Sequence, residues 1–269
     1  IFAQLRRFAI KHHQINQHIV LQQKCIYFIQ SNPHGLFFWI TKATGRNQDK
    51  GDERSPKYLY RYIPFERLAE ILMRREIPIP RPQDWNDQHD LRNSIRGADA
   101  DDVVGIACFT SKCGTSFHWD LFAKYGVRLA FDKKKLKERV EHAEAKLQKV
   151  NYCSNDEYID ALNNGKPLLF VKRNQYKPER EWRITCQISK EKMATENVVK
   201  FIPFEWGDLK KITISPHYSI SDYYFYKAMI LNMLESVGAK NVQVLRSPLF
   251  ESKKIKNAEA ELDLEEDEK

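Results

Sequence analysis

Hydrophobic and polar positions change period repeatedly along this chain. Residues 2–29 place Phe2, Leu5, Phe8, Ile15, Ile19 and Ile26 mostly at three-, four- or seven-residue spacings, which predicts an amphipathic helix. Asn32-Pro33-His34-Gly35 breaks that pattern, and the polar run from Gly45 to Pro56 reads as a linker. From Tyr58 the pattern tightens. A strand is predicted over Tyr58–Ile63, a helix over Phe65–Arg75 and a short extended piece over Ile77–Pro80, with an irregular loop at 81–90. Val103–Thr110 is the clearest strand, followed by a helix from Ser116 to Tyr125, a strand at Val127–Phe131, a charged helix over Lys133–Val150 and a helix at Asn155–Asn164. The remaining pattern predicts strands at Trp182–Ile188, Val198–Ile202 and Lys211–Ile214, a helix at Asp222–Val237 and a last strand at Val242–Leu245.

This order, without regular strand–helix alternation, predicts an α+β fold with a mixed sheet and peripheral helices. Three segments are expected: a helical arm and linker at 1–57, the main domain at 58–250, and an acidic tail at 251–269. The length of 269 residues and a hydrophobic content of 42% suffice for one large domain with appendages. Five scattered cysteines without a CxxC pair argue for a reducing, cytoplasmic setting. No apolar run is long enough for a membrane span.

Net charge is +8, yet residues 251–269 carry eight acidic residues against four lysines, so the preceding part is strongly basic. That balance points to a polyanionic partner such as nucleic acid, or to an acidic protein.

Several chemistries lack their motifs. The ten glycines form no GxGxxG or Walker loop, and HExxH and GxSxG are absent. Cys108-x4-Cys113-x4-His118 is too loosely spaced for a zinc site, and no metal site is expected. Asp132 with Glu144-x-Lys146 has the residue types of a nuclease, but its Glu and Lys fall on the predicted charged helix, where ion pairs along the surface explain them.

One constellation remains, Glu179-Arg180-Glu181-Trp182-Arg183. On a strand, Glu179 and Glu181 would share one face, opposite Arg180 and Trp182. Two such carboxylates can divide labour, one stabilising positive charge and one deprotonating an acceptor. A salt-bridged strand, with Arg183 and Lys177 as partners, would show the same pattern.

Tyr58-Leu59-Tyr60-Arg61-Tyr62, then Trp85-Asn86-Asp87, Cys108-Phe109-Thr110-Ser111, Trp119, Gly126, Phe131-Asp132 and the Glu-x-Glu-Trp-Arg element occur in an order that resembles the bacterial family called domain of unknown function 2971. The resemblance covers about Tyr58 to Phe250. Gln88-His89 and Leu121-Phe122 stand where that family usually has Pro-Phe and His-Tyr. The same order is similar to the ADP-ribosyltransferase fold, whose split sheet carries arginine, serine and glutamate arms. The resemblance maps these arms onto Arg61, Ser111 and Glu181.

It implies that Tyr60, Arg61, Phe109, Thr110, Ser111, Trp119 and Tyr125 hold NAD as substrate, and that Glu181 stabilises the oxocarbenium-like transition state. Glu179 would handle the acceptor. The expected activity is mono-ADP-ribosyl transfer by a bacterial toxin or phage-defence effector acting on nucleic acid, RNA foremost, with an antitoxin or other regulatory protein docking on residues 2–29. A basic nucleic-acid-binding module, using Arg61, Arg180 and Arg183, and a metal-dependent nuclease are the competing expectations.

Overall fold

A computed structural model describes residues 55–82, 90, 102–166 and 168–250. The helix expected at 2–29, most of the 45–56 linker and of the 81–90 loop, and the acidic tail lie outside them.

The first strand, β1 (Tyr58–Pro64), runs into helix α1 (Phe65–Arg74). In α1, Leu68, Ile71 and Leu72 are buried, while Glu70 faces Arg67 and Arg74 at its surface. Arg75 ends the helix in the left-handed conformation at φ 55° and turns the chain into β2 (Glu76–Pro80). Then come β3 (Asp102–Thr110), α2 (Ser116–Phe122), β4 (Gly126–Asp132) and α3 (Lys133–His142). Asp132 caps α3 by accepting from the N–H groups of Lys134 and Lys135.

The helix expected to reach Val150 stops at His142. Glu144 takes φ 52°, and the chain continues as β5 (Lys146–Lys149) and β6 (Asn151–Cys153). An available sheet edge offers Lys146–Lys149 backbone partners, and this tertiary pairing overrides the good helical propensity of Lys, Leu and Gln. Helix α2 is also shorter than expected, ending at Phe122, and Thr115 rather than Ser116 precedes it.

A capping box between Ser154 and Glu157 opens α4 (Asn155–Asn163). Strand β7 (Val171–Arg173), which the hydrophobic pattern did not indicate, leads through a 3₁₀ turn (Asn174–Glu179) into β8 (Glu181–Ser189). The chain closes with β9 (Val198–Pro203), β10 (Leu209–Ile214), α5 (Ile220–Ser236) and β11 (Gln243–Arg246).

The fold is α+β. A seven-stranded mixed sheet has the order β11-β10-β4-β1-β3-β8-β5, with β10 and β11 parallel and the other pairs antiparallel. Two small sheets accompany it, antiparallel β2-β9 and parallel β6-β7.

Alternation gives the large sheet two unlike faces. Leu59, Ile63, Phe109, Leu129, Phe131, Ile184 and Ile212 point into the hydrophobic core, where α1, α3, α5 and the β2-β9 pair supply partners such as Leu68, Leu136, Ile230 and Ile79. The other face carries Tyr60, Tyr62, Thr110, Arg128, Glu181 and Arg183. It is the polar face, covered at one end by the β6-β7 pair and at another by α2.

Candidate functional site

The site forms where β8 begins on the polar face. Glu179 ends the 3₁₀ turn, Arg180 adopts the left-handed conformation at φ 46°, and the strand starts only at Glu181. Strand alternation therefore does not bring the two carboxylates together, as the spacing had suggested. A backbone reversal at Arg180 does, turning both side chains toward one cation.

That cation is Lys172, in the middle of β7. Its Nζ lies 2.8 Å from Glu179 Oε2, 2.9 Å from Glu181 Oε2 and 3.3 Å from Asp90 Oδ2. Arg183, fully buried, completes the cluster. Its Nε donates to Glu181 Oε1 at 2.8 Å, one Nη donates to Asp90 Oδ2 at 2.7 Å, and the other donates to the Leu169 carbonyl at 2.8 Å. Glu179 and Glu181 are 6% and 4% exposed, so their charges interact through protein rather than bulk water.

The two glutamates differ in proton affinity. Burial and the repulsion of Glu181 and Asp90 raise the Glu179 pKa, against the pull of Lys172. Glu181 is also penalised by burial, but Arg183 and Lys172 overcome this and hold its carboxyl at about 2. Neighbouring acids with divergent proton affinities are the arrangement used for acid–base work. Burial, reinforced by the same carboxylates, pushes the Tyr152 hydroxyl up to about 12; its oxygen accepts the Glu181 backbone N–H at 2.8 Å.

The Arg180 turn is held from β3 and α2. Thr110 Oγ1 donates to the Glu179 carbonyl at 2.6 Å, and His118 Nε2 approaches the same oxygen at 3.2 Å. Because a carbonyl only accepts, His118 carries its proton on Nε2, and Nδ1 accepts from the Thr115 hydroxyl. Burial lowers the His118 pKa, consistent with this neutral form. The Ser111 backbone N–H and hydroxyl both donate to the Arg180 carbonyl, at 3.1 and 3.3 Å. Ser111 thus supports the turn between the carboxylates rather than the Glu181 side chain.

Of the expected site residues, Tyr60, Thr110, Ser111, Glu179 and Glu181 converge. Tyr60 is in register with Thr110, and Thr110 with Glu181, so the three form a row across adjacent strands.

Arg61 does not join them. It lies in register with Leu129 on the core face, donates to the Pro78 carbonyl at 3.2 Å and packs its guanidinium 5.6 Å from the Phe109 ring centre. Phe109 itself is core, 3% exposed. Side-chain alternation places both opposite Glu181. Trp119 is fully buried against Tyr62 and offers no open ring to a ligand. Tyr125 lies beside Gly126, whose strand partner Pro64 is four residues along β1 from Tyr60, and it packs against His217 and Tyr218.

The arginine on the polar face is Arg128. It pairs in register with Tyr62, stands 5.1 Å from the Tyr60 ring centre and donates to Thr213 Oγ1 at 3.2 Å.

Lys172, Asp90, His118 and Tyr152 also belong to the cluster or support it, and the sequence assigns none of them to this site. His118 had been considered only as a zinc ligand, but the three members of that set part company. Cys113 contacts Tyr60, Cys108 contacts Glu181, and His118 holds the Glu179 carbonyl. No signal in the single sequence marks Lys172, whereas His89-Asp90 has the residue types of a phosphohydrolase pair but, without a second histidine cluster, reads as a turn. Among the described residues no group of three His, Cys, Asp or Glu is placed to hold a metal ion. No helix there is long and apolar enough to cross a membrane.

No protein-family model matches the chain, and no curated protein matches it. Among solved structures, the fold is similar to that of DarT from Thermus sp. 2.9 in complex with NAD+, at 13% identity and a TM-score of 0.37. The match covers 71% of this chain and 96% of that one.

Proposed function

We propose that this protein is an NAD-dependent mono-ADP-ribosyltransferase, an effector of the toxin or phage-defence type, that modifies nucleic acid. The observation that carries the reading is the convergence of two buried carboxylates, Glu181 held by Arg183 and Lys172 and Glu179 held by Lys172, beside Thr110 and Ser111. It agrees with the order of elements by which the sequence resembles the ADP-ribosyltransferase and domain of unknown function 2971 families.

In this reading the negative charge of Glu181 stabilises the positive charge that builds on the ribose as nicotinamide departs. With Glu179 and Asp90 both within 3.3 Å, Lys172 can shift toward them, leaving Glu181 Oε2 to accept from Arg183 at 3.3 Å and from a ribose hydroxyl. Glu179 then takes the proton of the attacking acceptor group, a role that its raised proton affinity favours. Tyr60 and Arg128 supply a ring and a cation on the same sheet face. Arg128 takes the part in holding NAD that the resemblance implies for Arg61, because Arg61 faces the core.

The competing binding-module reading loses two of its three arginines, since Arg61 points to the core face and Arg183 is fully buried in the carboxylate cluster. Incubating the protein with labelled NAD and separate RNA, DNA and protein pools tests the proposal. Wild type is expected to release nicotinamide and label the nucleic acid, and Glu181→Gln to lower that rate by at least about a hundredfold, the scale of lost electrostatic stabilisation. Equal rates in the two proteins would sink it.

A further inference from the structure

A second feature lies at the same end of β8 but on the opposite face. Trp182 follows Glu181 directly and points away from the carboxylate cluster. Lys133, in the first turn of α3, places its Nζ 4.2 Å from the centre of the Trp182 ring. Lys149 on the edge strand β5 is in register with Trp182 and therefore on the same face. Lys137 lies one helical turn beyond Lys133. Burial lowers the Lys133 pKa, and the nearby Lys137 and Lys149 lower it further, each being close enough to repel the Lys133 ammonium.

Acids near α3 are largely committed elsewhere. Asp132 accepts from backbone N–H groups, and Asp208 binds Arg139 at 2.9 Å and Lys135 at 3.8 Å. Glu141 meets Lys137 at 3.5 Å in a pair with both side chains 59% exposed, a contact that an arriving phosphate can replace.

We infer that Lys133, Lys137 and Lys149 around Trp182 form the surface that receives the phosphodiester backbone of a single-stranded nucleic acid. Like charges brought together at a half-buried aromatic ring are stabilised by a polyanion, which releases its condensed counterions on binding. The strand form follows from placement. Trp182 and Glu181 are about 3.4 Å apart along β8 but on opposite faces, so a backbone seated on the lysines must turn around the sheet end to bring a nucleotide to the carboxylates. A flexible single strand can do so, whereas a duplex is stiff over about 150 base pairs. The proposal identifies the acceptor-binding surface and rests on the function proposed above.

The test measures binding of a short labelled oligonucleotide over a range of salt concentrations, with single-stranded RNA, single-stranded DNA and the duplex in separate arms. For K133Q/K137Q/K149Q the slope of log K against log salt is expected to become shallower by about 2, the loss of three phosphate contacts on a single strand. A charge-matched control, K190Q/K192Q/K240Q, is expected to keep the wild-type slope, and K137Q/K149Q alone, should the triple variant fold poorly, to lose a little over 1. NAD cleavage to water without nucleic acid should be unchanged in K133Q/K137Q/K149Q. Equal slope changes in the two triple variants, tighter binding of duplex, or binding confined to acidic proteins would each overturn the surface. Absence of NAD cleavage in wild type would instead overturn the catalytic reading and leave the binding result readable.

Discussion

Arg183 and Glu181 stand two residues apart on one face of β8, and Arg183 Nε donates to Glu181 Oε1 at 2.8 Å with both side chains almost wholly removed from solvent. The contact ties the ionisation of the principal candidate carboxylate to the folding of the sheet. A lone charge at either position would pay the full desolvation penalty.

Glu181→Gln is therefore expected to destabilise the protein by about 3–5 kcal/mol, because Arg183 loses its main anionic partner while staying buried. Glu179→Gln should be neutral or slightly stabilising, since the amide replaces a carboxyl whose pKa is already raised. Chemical unfolding of both variants at neutral pH checks the contrast. Equal losses would show that the two glutamates are electrostatically equivalent.

The two glutamates should also give stability opposite pH dependences. Glu181 has its pKa depressed to about 2 from 4.5, so its contribution is complete above about pH 4.5 and is lost as the pH falls toward 2. Glu179 has its pKa raised, so the folded state keeps a proton that the unfolded chain releases near 4.5; its contribution is greatest in acid and is lost as the pH rises through the elevated value. Plotted against pH, the stability of wild type relative to Glu181→Gln should rise and that relative to Glu179→Gln should fall. Slopes of the same sign would contradict the assignment.

Arg61 and Arg128 separate structure from ligand binding. Arg61 serves the core face, where burial pulls its pKa down to about 10. Arg61→Met should cost about 1.5–3 kcal/mol of stability, the scale of a hydrogen bond from a charged group, with the KM for NAD unchanged. Arg128→Met should raise that KM about tenfold or more, on the same order as one lost charged contact. Steady-state kinetics beside thermal melting distinguishes the two outcomes, and a KM shift for Arg61→Met would restore the residue to the site.

Gly126 tests the backbone that supports the polar face. A Cβ there would sit 2.2 Å from the Ile63 carbonyl oxygen and 3.0 Å from the Ala123 Cβ. Gly126→Ala must push β4 away from β1, and a loss of about 1–3 kcal/mol is expected, read as a lower melting temperature. An unchanged melting temperature would mean that the β1–β4 pairing tolerates the displacement.

Much of the fold was legible along the chain. β-branched and aromatic alternation marked Tyr58–Pro64, Asp102–Thr110, Gly126–Asp132 and Glu181–Ser189, and amphipathic spacing marked Phe65–Arg74. These patterns were readable because each element buries one face, and burial selects residues at the element's own period. The failures have equally local reasons. Lys146–Lys149 is an edge strand whose Lys-rich sequence suits a charged helix as well, and Val171–Arg173 is too short to show a period.

The pattern along the chain was enough to place strands through Tyr60 and Thr110 and into the Glu179–Arg183 segment, and to mark its acidic pair as chemically distinctive. Only the tertiary structure decided which of these side chains meet. A strand's faces are set by register with its neighbours, so Arg61 and Phe109 went to the core while Arg128 joined Tyr60. The left-handed turn at Arg180, held by Thr110 and His118, aimed Glu179 and Glu181 at Lys172. Such a convergence depends on residues 90, 172 and 183 arriving from separate segments, and spacing along one chain carries no information about distances across a fold.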